Sequence, residues 1–208
     1  MKRVVLSLLS ILLLSQISFA QNWRNEISSN YFYIRVAENP EKYWDLPGNH
    51  PNTAKRDIQF QIWDKDADEF ERTFIFPTIN GTELFAIRNK AGYIVDVAGK
   101  EKLSATEEIK KKTGKKFKMK KDNGVEIQTW DYDGTGVARW QQWRLIIVDQ
   151  NVVIFENAFT NKAIDIQMGH IHENGSKLQS WDRNNSGAQR FVLEYATGPK
   201  KGQLLRFD

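Results

Sequence analysis

An all-β fold assembled from three related units is what this 208-residue sequence predicts, and three observations predict it. The first is a tetrapeptide that occurs three times: Gln61-Ile62-Trp63-Asp64, Gln128-Thr129-Trp130-Asp131 and Gln179-Ser180-Trp181-Asp182, with tryptophans 67 and 51 residues apart. Such wide spacing leaves room for several strands per copy, and repetition at a long period marks a fold built from repeated units. The second is a two-residue alternation around each copy, the periodicity of strands. The third is the near absence of helical periodicity along the chain.

The elements follow in order. Residues 1–20 stand apart: Lys2 and Arg3 give a basic start, Val4 to Leu14 is almost wholly apolar, and Ser18-Phe19-Ala20 offers small residues where a signal peptidase reads. This is the pattern of a cleaved secretory signal peptide. It predicts a secreted or periplasmic protein of bacterial type, a mature domain over 21–208 and no transmembrane segment after cleavage. Each unit then reads as four short strands. The first unit, about 29–78, runs Tyr31 to Val36, Trp44-Asp45-Leu46, the segment ending in Gln61-Ile62-Trp63-Asp64, and Thr73 to Phe76. The second, about 79–148, runs Glu83 to Arg88, Val95-Asp96-Val97, the segment around Gln128, and Gln142 to Leu145. The third, about 149–197, runs Val152 to Asn157, Ile164-Asp165-Ile166, the segment around Gln179, and Arg190 to Leu193. Turn chemistry such as Asn80-Gly81 separates the units. The second-strand Asp precedes its Gln by 16, 32 and 14 residues, so the middle unit carries an insertion, about 104–122, whose Ser104 to Lys112 portion is expected to form one short helix. Twelve short strands with three-fold repetition call for a closed architecture, because closure removes exposed sheet edges. The prediction is a β-trefoil of three repeats with four short strands each, forming a single domain.

Composition narrows the chemistry. There is no cysteine, which excludes thiol catalysis, disulfides and thiolate metal sites. The formal net charge of +4 is misleading, because two positive charges leave with the leader and eight lysines crowd between Glu107 and Lys121 against two acids. The basicity therefore belongs to one segment, and the Lys110–Lys121 loop is a candidate contact for an anionic ligand.

Within the repeated segments, side chains at alternate positions share a face. Ile58, Phe60 and Ile62 fall on one side, with Gln59, Gln61 and Trp63 on the other. The second and third copies sort the same way, so each Trp shares the polar face and is expected to look outward rather than into the core.

In these residues the chain resembles the ricin-B-like, or R-type, lectins, which are β-trefoil carbohydrate-binding domains. The likeness is most specific from Ala163-Ile164-Asp165-Ile166 through Leu178-Gln179-Ser180-Trp181-Asp182 to Gln189-Arg190-Phe191. It implies a shallow sugar pocket in each competent repeat: the second-strand Asp accepts hydroxyl hydrogen bonds, the indole stacks on the sugar ring, and an Asn-Gln pair completes the site. The matching positions are Asp165, Gln179, Trp181 and Gln189 in the third unit, Asp96, Gln128, Trp130 and Gln141 in the second, and Asp45, Gln61 and Trp63 in the first. Arg72 stands at the first unit's Gln position, and Glu71, Trp140 and Ala188 stand where the family has Asn. The chemistry agrees, since a carboxylate accepts several hydrogen bonds and an indole offers an apolar platform. A scaffold role for Gln-x-Trp remains open beside this one.

Other constellations are weaker. His170-Ile171-His172 puts two imidazoles on one face without a third ligand, and Asp64, Asp66 and Asp68 begin like a calcium loop but lack its later Gly and Glu. No nucleophile motif or phosphate-binding glycine loop occurs. The expectation is a secreted, non-catalytic glycan- or polysaccharide-binding protein that needs no metal or cofactor. The alternative is a trefoil that recognises protein through its loops.

Overall fold

β-branched and aromatic residues at alternate positions fold into twelve strands, four to a unit, in the computed structural model, which describes residues 23–48, 56–65, 72–98, 123–132 and 137–207. The leader, the lysine-rich insertion and its expected short helix lie outside the described residues. The first unit holds β1 (Phe32–Val36), β2 (Asn39–Asp45), β3 (Gln61–Asp64) and β4 (Thr73–Ile75). The second holds β5 (Arg88–Asn89), β6 (Ile94–Val97), β7 (Val125–Trp130) and β8 (Trp143–Ile147), and the third β9 (Val152–Asn157), β10 (Lys162–Ile166), β11 (Leu178–Asp182) and β12 (Phe191–Tyr195).

The first and last strands of each unit close a ring. β1 pairs with β12 over Phe32↔Tyr195 to Val36↔Phe191, β12 with β9, β9 with β8, β5 with β4 and β4 with β1. The remaining seam, between the approach to β5 and β8, is made by reciprocal backbone bonds of 2.9 Å between Phe85 and Trp143. This opening strand is shorter than the Glu83–Arg88 segment predicts. Pro77 lies opposite it, with its carbonyl accepting from Ala86 N at 2.9 Å, and has no N–H to extend a regular ladder.

The middle strands make three hairpins, β2–β3, β6–β7 and β10–β11. Their second arms pair around a triangle: Phe60 N donates to Ile127 O and Leu178 N to Phe60 O, both at 2.8 Å, and Gln179 lies opposite Glu126. The ring thus has a hairpin cap at one end. Phe60, Ile62, Ile127 and Leu178 point from the cap into one continuous core, where Trp44 sits 5.2 Å from Phe191 and 5.3 Å from Phe155, ring to ring. The aliphatic face of the repeated segments is therefore the core face.

The opposite end of the ring is closed by α1, residues 23–29, which the sequence reading did not foresee. Trp23 and Ile27, one turn apart, share its buried face, and Trp23 packs on Phe207 and Phe85 at 5.4 and 6.1 Å. Glu26 fixes it by accepting from Tyr195 Oη at 2.7 Å and Lys200 Nζ at 2.9 Å. One buried turn carries too little periodicity to register in a sequence window.

Candidate functional site

Antiparallel register brings the motif residues together. Asp45 pairs with Gln61, Asp96 with Gln128 and Asp165 with Gln179, while two positions along, Trp63, Trp130 and Trp181 lie opposite Tyr43, Ile94 and Ala163. In every unit the Gln amide donates to its Asp, at 2.7 Å in the first, 3.2 Å in the second and 3.0 Å in the third. In the third unit Gln189 Nε2 adds a second bond to Asp165 at 3.1 Å and one to Asp182 O at 2.9 Å, which ties the hairpin to the chain entering β12. Arg72 does the same work in the first unit: Nε donates to Asp45 at 2.9 Å and Nη1 to Asp64 O at 2.9 Å. Gln141 accepts from Ala138 N at 3.1 Å instead. All three Asp/Gln pairs are buried, so this part of the polar face is packed within the fold rather than open to solvent.

The indoles diverge. Trp63 and Trp181 are each 38% exposed, but Trp130 is only 6% exposed and packs with Ala86, Ile94, Tyr132 and Val137. This corrects the outward position expected for Trp130. Parity fixes which side a residue occupies but not what covers that side, and here Arg56 also lies over the ring, 5.6 Å from its centroid.

The sequence reading missed how each Trp-Asp end is clasped by the neighbouring unit. The turn residue four positions before one unit's Gln donates its N–H to the motif of another: Gly175 to Ile62 O at 2.9 Å, Asp57 to Thr129 O at 2.8 Å and Gly124 to Ser180 O at 2.8 Å. All three have left-handed backbones, with φ of 85°, 64° and 81°, which explains two glycines at these turns. The preceding residue completes the clasp. Asn174 accepts from Asp64 N at 3.0 Å and donates to its carboxylate at 2.7 Å, and Asn123 treats Asp182 alike at 2.9 and 2.8 Å. Lys42 and Lys162 ion-pair with the same two carboxylates. In the second unit Arg56 stands in for Asn and reaches Asp131 only at 3.8 Å. The signal was present in the sequence as Asn-Gly five residues before two of the glutamines.

Hydrogen bonds from Lys42 and Asn174 hold Asp64 below the usual carboxylate range, and Lys162 and Asn123 do so for Asp182. Burial pushes Asp165 up, partly offset by the amides of Gln179 and Gln189. Among the described residues no cluster of three metal-ligating side chains occurs. His170 faces Glu173 at 3.2 Å and His172 faces Asn39 at 3.0 Å, while Asp66 and Asp68 lie outside the described residues. No helix of the described residues is long and apolar enough to cross a membrane.

A closed ring of paired strands with three cap hairpins is the fold of the β-trefoil proteins. The chain is similar in structure to ThreeFoil, a designed three-fold symmetric protein, with a TM-score of 0.60 at 13% identity over 78% of this chain and 96% of that one. It is also similar to the Rhizoctonia solani agglutinin, with a TM-score of 0.56 at 12% identity over 79% and 93% of the two chains. A third likeness is to an exo-β-1,3-galactanase from Clostridium thermocellum, with a TM-score of 0.61 at 16% identity over 80% of this chain but only 30% of that enzyme. No protein-family model and no curated sequence matches the chain, so the likeness is one of fold.

Proposed function

We propose that the protein is a non-catalytic carbohydrate-binding module that takes hydroxyl-rich glycan or polysaccharide at the third unit, exported by its leader to the periplasm or exterior. One observation carries the reading: Asp165, Gln179 and Trp181 share a hairpin face on which the indole is 38% exposed and the carboxylate is held by two amide donors. A carboxylate has about four acceptor sites, of which the two amides fill two and pre-aim the rest, and Asp165, only 6% exposed, would be reached by a sugar hydroxyl at the foot of the exposed indole. Ala163, opposite Trp181, is the smallest of the three residues that pair with the indoles. The first unit's Asp45, Gln61 and Trp63 form a second face of the same type. Asp96, Gln128, Trp130 and Gln141 lie under a covered indole and make the second unit the weakest candidate. The agglutinin's fold supports the reading as a scaffold for sugar binding.

A glycan array on the mature protein, followed by titration of the best neutral hit, tests this. Trp181→Ala and Asp165→Asn should each weaken binding at least tenfold, because each removes a stacking platform or a charge-assisted acceptor. Unchanged affinity in both variants would remove the reading. Capture of a protein ligand with which no saccharide competes would replace it by loop-mediated protein recognition.

A further inference from the structure

The two exposed tryptophan faces share a backbone but not a charge. On the Trp63 face the carboxylate of Asp45 is already neutralised by Arg72, 2.9 Å away. The neighbouring third unit then lays Lys177 across the same face, its Nζ donating to Gln61 Oε1 at 2.8 Å. No carboxylate of the described residues comes within ion-pair distance of Lys177. On the Trp181 face the position matching Arg72 is the neutral Gln189, and the neighbouring unit lays Glu126 opposite Gln179 where Lys177 lies opposite Gln61. Asp64 and Asp182, one beside each indole, are both held by lysine and cancel in the comparison. Among the described residues the inner set therefore carries one positive charge at Trp63, from Lys177, and two negative charges at Trp181, from Asp165 and Glu126.

A groove lies close to this face. It holds about 200 Å³ and runs along the β10–β11 loop, lined among others by Gln167, His170, Asn174, Gly175, Ser176 and Lys177. Its one lining carboxylate, Glu173, is turned to His170 at 3.2 Å. Gly175, one of the lining residues, lies against the Trp63 ring, since a side chain there would start 3.6 Å from it.

Resting on the glycan reading above, we infer that the Trp63 face takes an acidic saccharide, with the sugar ring on the indole and its carboxylate or sulfate on Lys177, whereas the Trp181 face takes a neutral one. An ammonium whose present partner is a neutral amide gains a bond charged on both sides when an anion arrives. The same anion at Trp181 would meet Asp165 and Glu126.

The test is calorimetric titration with three probes: an oligogalacturonate, a sulfated galactan oligosaccharide and a neutral galacto-oligosaccharide. At least one acidic probe should bind, and the one that does identifies the anion. Its affinity should fall about tenfold in Lys177→Gln, which keeps a donor for Gln61, fall in Trp63→Ala, return in Lys177→Arg, and weaken steeply with salt. In Trp181→Ala the neutral probe should be lost while the acidic one persists. Acidic binding indifferent to both Lys177→Gln and Trp63→Ala would overturn the inference. Neutral binding through Trp181 with no acidic binding would overturn it and leave the glycan reading standing. Failure of all three probes would take the glycan reading down with it.

Discussion

Arg72 shows how a single position can leave a sequence pattern and keep its structural job. Where the third unit uses Gln189 to join the second-strand Asp to the backbone after Trp181, the first unit uses a guanidinium with the same two contacts. The price is a buried ion pair, Arg72–Asp45, in place of an amide–carboxylate bond. Removing one partner of such a pair strands a buried charge and costs about 3–5 kcal/mol. Arg72→Ala is therefore expected to lose that much in denaturant unfolding, whereas Arg72→Gln should recover a large part of it. An equal loss in both variants would mean that the guanidinium fork itself, not the contact pattern, holds the hairpin.

At the scale of the hairpin, the clasps explain what was and was not legible in the sequence. The alternation around Gln61, Gln128 and Gln179 correctly separated the core face from the Asp/Gln/Trp face, because side-chain parity is local to a strand. It could not show that this second face is covered, since the cover comes from a turn in another unit: Gly175 lies 113 residues after Ile62, which accepts its N–H. Nor could it show that Trp130 is covered, chiefly by Ala86, Ile94, Tyr132 and Val137 of its own unit with Arg56 of the first over the ring. Asn174→Ala should open one clasp without touching the core. In hydrogen exchange the amides of Ile62 and Gly175, bonded to Ser176 O and Ile62 O, should then lose protection ahead of the global transition. Retained protection there would show that the backbone bonds alone hold the seam.

The whole molecule is a ring closed at both ends, by the hairpin cap above and by α1 with the chain near Phe207 below. The plug has a definite energetic role: Ile27 is fully buried in the main core cluster, so Ile27→Ala should cost about 2–5 kcal/mol, read as a shift in the denaturant midpoint. A shift near zero would show α1 to be an ornament rather than a stopper. The cap carries a different lesson. Its clasps run in one rotary sense, with the third unit's turn on the first, the first on the second and the second on the third, so no unit holds both halves of its own clasp. A fragment of the first two units would keep one clasp of three, and that one is the loosest, with Arg56 3.8 Å from Asp131. Three-fold repetition therefore does not make this chain modular. Like a keystone arch, it is expected to have no stable half-built stage, and its unfolding should be all-or-none, with coincident fluorescence and circular dichroism transitions, although its sequence is written in thirds.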